Sequence, residues 1–258
     1  MISSLFLPAA IVVLSAQANA PITSDRKSDE VAEAAAAAPE ATPAVLQKSR
    51  QLALLVAPID MIIEANAENT RKSMATMAET DSTLKVLLST YPGIDEAMYN
   101  ALIPIVDQAL IARHDDLVSR VSAIYVKTFT EAELDKILET YDSDLGRKIV
   151  ALEYGSVDPM ALFDEEDDSG DVPQISEDKA MSELNATSLK IFSGLTLEER
   201  RQVIAFNLTP AGQKFSKASM EVARETIDWT NTLVAETAPT TNAAIEQAVI
   251  KFIEEFDG

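Results

Sequence analysis

In long segments between Ala44 and Phe256 the apolar positions recur at steps of three and four, the period of a helix that buries one face. Clustered β-branched runs bounded by turn residues are absent, and the chain holds only 7 glycines. The pattern predicts an all-α fold. Ala44 to Ala57 reads as a first helix, stopped or kinked at Pro58, with a second from Ile59 to about Met77. A short helix over Ser82 to Ser89 ends before the breaker Tyr91-Pro92-Gly93. Asp95 to about Val126 reads as a long helix with a bend at Pro104. Then come Glu131 to Tyr141, Asp144 to Leu152, Glu177 to Phe192, Leu197 to Leu208, Pro210 to about Glu236, and Asn242 to Phe256.

Within this pattern lies a weak repeat. Phe129 to Lys148 (FTEAELDKILETYDSDLGRK) aligns without gaps on Leu195 to Lys214 (LTLEERRQVIAFNLTPAGQK), an offset of 195 − 129 = 66. The shared positions sit where helix starts need them. Thr130 with Glu133, and Thr196 with Glu199, have capping-box spacing: hydroxyl to the N3 amide, carboxylate back to the cap amide. Phe129 and Leu195 precede the caps as staples. Thirteen residues on, Ser143 with Asp144 and Thr209 with Pro210 mark second helix starts, and proline is favoured at that first position. Gly146 and Gly212 then fall at N3. Glycine in a helix costs about 1 kcal/mol relative to alanine, so its use twice at one site implies a close approach by the preceding helix. Lys148 and Lys214 follow, pointing to solvent or pairing with an acid. Each unit therefore reads as an αα-hairpin. A Gly-x-Lys at a helix start could also hold an anion, but the first glycine and the Lys-Ser/Thr pair of a phosphate loop are missing.

The first copy reads Tyr125-x-x-x-Phe129-Thr130-x-x-Glu133-Leu134-x-x-Ile137, then Tyr141-x-Ser143-x-x-Gly146-x-Lys148. This resembles the bacterial exported family called domain of unknown function 2059. In that family an aromatic-Thr/Ser-x-x-Glu-Leu helix is followed by an aromatic-Tyr-x-Ser-Pro-x-Gly-x-Lys helix start. Thr140 stands where an aromatic is usual and Asp144 where proline is usual. The second copy has Phe206 and Pro210 at those places but Asn207 for the tyrosine. The resemblance implies an exported helical protein without an established activity, and it carries over no catalytic residue.

The N-terminus fits that address. Leu5 to Ala16 has the length of a signal-peptide core, and small residues allow a cut after Ala18 or Ala20; the alternative is a segment retained as an uncleaved anchor. An Ala/Pro/Glu-rich stretch over 19–43 reads as a disordered tether. An all-α domain over 44–258 is expected to follow, with a first unit at 128–152, an acidic linker at 164–173 and a second unit at 194–236. No later apolar run is long enough to span a bilayer. The chain has no cysteine and a net charge of −21. Disulfides and thiolate chemistry are closed, and phosphate backbones should be repelled, so no nucleic acid is expected.

Little catalytic chemistry is on offer. His114 is the only histidine, flanked at helical spacing by Leu110, Ile111, Leu117 and Val118, so a surface or locally bonded histidine is expected rather than a metal ligand. The acidic segment Asp164 to Asp171 lacks a glutamate at the twelfth position of a calcium loop, where Ser176 stands. No catalytic, cofactor or metal residue is assigned. Phe215, Val222, Trp229 and Leu233 form a heptad-like stripe, with Ser219 and Thr226 among them. The stripe is either core or a seam for a partner helix or apolar ligand. The expected function is a non-catalytic binding module of the cell envelope whose partner is an unidentified protein or peptide. The alternatives are a chaperone-like role on exported polypeptides and, further off, an enzyme using carboxylates such as Glu133, Glu153 and Asp158.

Overall fold

The computed structural model describes residues 41–162 and 174–258. The expected signal peptide, all but the end of the tether and the acidic segment Asp164 to Asp171 lie outside them. The fold is all-α: α1 (Pro43–Val56), α2 (Ile59–Thr80), α3 (Ser82–Thr90), α4 (Ile94–Thr128), α5 (Glu131–Tyr141), α6 (Asp144–Ser156), a 3-10 turn (Pro159–Leu162), α7 (Glu177–Gly194), α8 (Leu197–Asn207) and α9 (Pro210–Asp257).

Local chemistry sets the helix starts. Thr42 accepts from the Val45 amide at 3.2 Å and Pro43 opens α1, so the first helix begins a residue earlier than the expected start at Ala44. Asp81 takes the Thr83 and Leu84 amides at 2.7 and 2.9 Å. Before α4, Gly93 has φ 95°, a left-handed conformation that a side chain disfavours.

The frame is an antiparallel pair, α4 against α9. Its course is marked by Tyr125 and Phe129 against Phe215, Arg120 with Glu225, Arg113 with Glu236, and Gly93 beside Phe252. α9 runs 48 residues without a break. This corrects the expected division into separate helices between Glu236 and Asn242. Pro239 removes one helical hydrogen bond, but the apolar side chains on both sides of it, Leu233, Val234, Ala238 and Ile245, are buried in the core and keep the helix in line. The ladder of contacts brings Pro104 of α4 and Pro239 of α9 to the same level, within about one helical turn.

The stripe on α9 faces inward. Phe215, Val222, Trp229 and Leu233 are buried, so the partner-helix seam expected as one reading is filled by the chain's own core. Ser219, Thr226 and Thr230 lie between them, each hydroxyl donating to the carbonyl four residues earlier at 2.8 Å. Those bonds satisfy the polar atoms within the helix, and small side chains let α9 sit close to its neighbours.

The two helix corners explain the glycines. A Cβ on Gly146 would overlap the carbonyl oxygens of Thr140 and Tyr141, and one on Gly212 would overlap the Phe206 carbonyl. Gly155, also in α6, has nothing near. Gly146→Ala and Gly212→Ala are therefore expected to destabilise the fold although alanine is the better helix former. Gly155→Ala should be neutral or stabilise by up to about 1 kcal/mol. Urea midpoints of the three variants check the difference in sign.

Candidate functional site

The residues singled out by the repeat gather at one seam. In α5 the Thr130 amide donates to the Glu133 carboxylate at 2.8 Å and the Thr130 hydroxyl accepts from the Glu133 amide at 3.4 Å. In α8 the Thr196 amide donates to Glu199 at 2.7 Å and the Thr196 hydroxyl accepts from the Glu199 amide at 3.3 Å. Ser143 accepts from the Gly146 amide at 3.1 Å, and Thr209 from the Gly212 amide at 3.0 Å beside Pro210 at the first position of α9. These are caps, each stabilising its helix by about 1 kcal/mol.

The lysines cross over. Lys148 Nζ donates to Glu199 at 2.8 and 2.9 Å, and Lys214 Nζ donates to Glu133 at 3.1 and 3.2 Å. Each capping carboxylate thus serves a backbone amide of its own helix and an ammonium from the other hairpin. Lys148 and the Thr196 amide hold Glu199 down to about 2, from the usual 4.5. Partial burial pushes Glu133 up, but the Thr130 amide and Lys214 outweigh it and hold it below the usual range. Depressed carboxylates stabilise the fold above pH 4.5, and for Glu199 that contribution is lost as pH falls from 4.5 through about 2.

The acids proposed for a carboxylate enzyme do not converge. Glu133 is spent on its cap and on Lys214. The Asp158 amide donates to Glu183 at 3.1 Å, at the chain surface. Glu153 of α6 is fully buried, with neither carboxylate oxygen partnered among the described residues. Burial drives its pKa well up; burial first, and the nearby Glu153 second, also push the Tyr141 and Tyr154 phenols up. His114 Nε2 donates to the Ala57 carbonyl at 2.7 Å and steadies the end of α1. Among the described residues no three His, Asp or Glu side chains gather as a metal site.

The sequence did not reveal a cleft between α2, α3 and the first turns of α4. It encloses about 260 Å³. Met74, Ala78, Leu84, Leu88 and Met98 make its apolar floor, and Tyr99 one wall. Arg71 lies over the Tyr99 ring, 3.9 Å from its centroid, and pairs with Glu96 at 3.8 Å, while Asp95 adds a second carboxylate to the rim. The short α3 exposes Val86 and buries only Leu84. The methionines at 74 and 98 were the available signal, but nothing local tells that three elements bring them together.

Glu153 generates a pH prediction. The folded chain holds its proton where the unfolded chain, with a pKa near 4.5, has released it, so this group lowers stability as pH rises above that value. Glu153→Gln, which mimics the neutral acid, should match the parent below pH 4.5 and exceed it increasingly toward pH 8. Parallel melts across that range check it; identical pH profiles would remove the buried acid as the cause.

In comparison with known proteins, no curated protein and no solved structure matches the chain. The end of α4, the α5–α6 hairpin and the turn after it, residues 115–161, match the family model of DUF2059, described as an uncharacterized protein conserved in bacteria.

Proposed function

We propose that this chain is a non-catalytic binding module of the bacterial cell envelope, and that the cleft between α2, α3 and α4 takes an apolar, basic segment of another polypeptide. The observation that carries this is the cleft itself. Its floor is built from methionine, leucine and alanine, and flexible methionine side chains adapt to varied apolar surfaces. Its volume falls below the range of drug-sized pockets, so it suits one or two side chains presented by a helix or strand. Two carboxylates stand on the rim, and the one arginine there is already engaged by Glu96 and Tyr99. With a net charge of −21 around it, the site favours lysine or arginine beside the apolar anchor and steers acidic partners away. The envelope address rests on the signal-peptide pattern of Leu5 to Ala20.

The test is fluorescence anisotropy with labelled amphipathic peptides on the full chain. A leucine/lysine peptide should bind, and the matching leucine/glutamate peptide should bind roughly tenfold more weakly or not at all. Ala78→Phe, which fills the cleft, should weaken the leucine/lysine peptide by a similar factor with the helical circular dichroism unchanged. Unaltered binding by a folded Ala78→Phe protein would rule out the cleft. Equal affinity for basic peptides of unrelated apolar pattern would favour the chaperone-like role over a dedicated partner.

A further inference from the structure

We infer that the capped hairpin is a self-recognition module: its surface fits a second copy of the same hairpin, and this chain carries both partners fused in one molecule, related by an approximate twofold axis. The offset of 66 seen in the sequence holds for the helices to the residue. α4 ends at Thr128 and α7 at Gly194; α5 spans Glu131–Tyr141 and α8 Leu197–Asn207; α6 begins at Asp144 and α9 at Pro210.

The sense of the contacts identifies the symmetry. Lys148 of the first hairpin reaches Glu199 of the second, and Lys214 of the second reaches Glu133 of the first. Repetition by simple translation would place Lys148 on Glu199 and leave Lys214 for a third copy. Only a twofold relation returns the second lysine to the first hairpin, which is the mark of an isologous interface. The apolar contacts obey the same exchange. Ile149, Ile191, Leu195 and Val203 form one small cluster. Moving each by 66 gives Phe215, Tyr125, Phe129 and Ile137. These are also packed together, with Tyr125, Phe129 and Phe215 rings 5.9–6.1 Å apart and Ile137 buried in the same core. In both clusters the second helix of one hairpin packs against the first helix of the other and the helix leading into it.

The symmetry also separates what pairing requires from what it does not. Glu153 corresponds to Ser219, whose hydroxyl is bonded within its helix at 2.8 Å, and the buried Tyr154 corresponds to the exposed Met220. The buried acid belongs to one copy only, so mutual recognition of the hairpins does not account for it.

Zero-length carbodiimide crosslinking of the full chain, read by peptide mass spectrometry, tests the arrangement. Both exchanged links, Lys148 to Glu199 and Lys214 to Glu133, are expected. A link within a hairpin (Lys148 to Glu133 or Lys214 to Glu199) in place of the exchanged ones would overturn the inference, as would formation of only one exchanged link. Double-mutant cycles give a second readout. Lys→Met combined with Glu→Gln, which keeps the capping reach, should show about two- to fivefold coupling in the folding equilibrium for the two exchanged pairs. Additivity is expected for the two same-hairpin pairs, and coupling there instead would also overturn it.

Discussion

Everything in this molecule leans on one constraint: a 48-residue helix must be held along its length, and α4 is the element that holds it. Isolated helices are marginal in water, and within a protein the packing of an apolar face supplies most of a helix's stability. The α4–α9 contact supplies that face from Tyr125 and Phe215 at one end to Gly93 and Phe252 at the other. The two hairpins are anchored at the first end and the cleft opens at the second. The same pair therefore sets the spacing between the region that matches a known family and the region that offers a binding surface.

At the hairpin end the economy is in the glutamates. Glu133 and Glu199 each close a helix start and receive a lysine from across the seam. A capping carboxylate is already oriented by its backbone bond, so the lysine meets a partner that has lost most of its conformational freedom. Their partly buried positions, with side chains 24% exposed, shield the pairs from solvent more than most surface ion pairs. The glycines at the corners complete the arrangement by letting the preceding helix close on the turn.

What could be read from the sequence was what is local. Thr130 with Glu133, Ser143 with Gly146 and their counterparts announce themselves within four residues, and the structure places caps at each. The lysines could be located but not paired, since their acids lie 51 and 81 residues away. The expected break near Pro239 failed for a related reason: proline among threonines looks like a terminator, and the neighbour that keeps the helix going is invisible in the segment itself. The Trp229 stripe has one appearance whether it meets α4 or another protein. The cleft needs α2, α3 and α4 together, and Glu153 reads as an ordinary helical acid until the fold encloses it.

The level shared by Pro104 and Pro239 gives the bundle an uneven stiffness. A packed pair of helices resists bending because each splints the other where one is weak. Here both lack a rung at the same height, so what keeps α9 straight there is the core packing of Leu233, Val234, Ala238 and Ile245 rather than its own backbone ladder. The joint falls between the cleft, formed around residues 71–99, and the paired hairpins that begin at the far end of α4. The alignment of the cleft with the hairpins therefore rests on side-chain packing at that level more than on backbone hydrogen bonds.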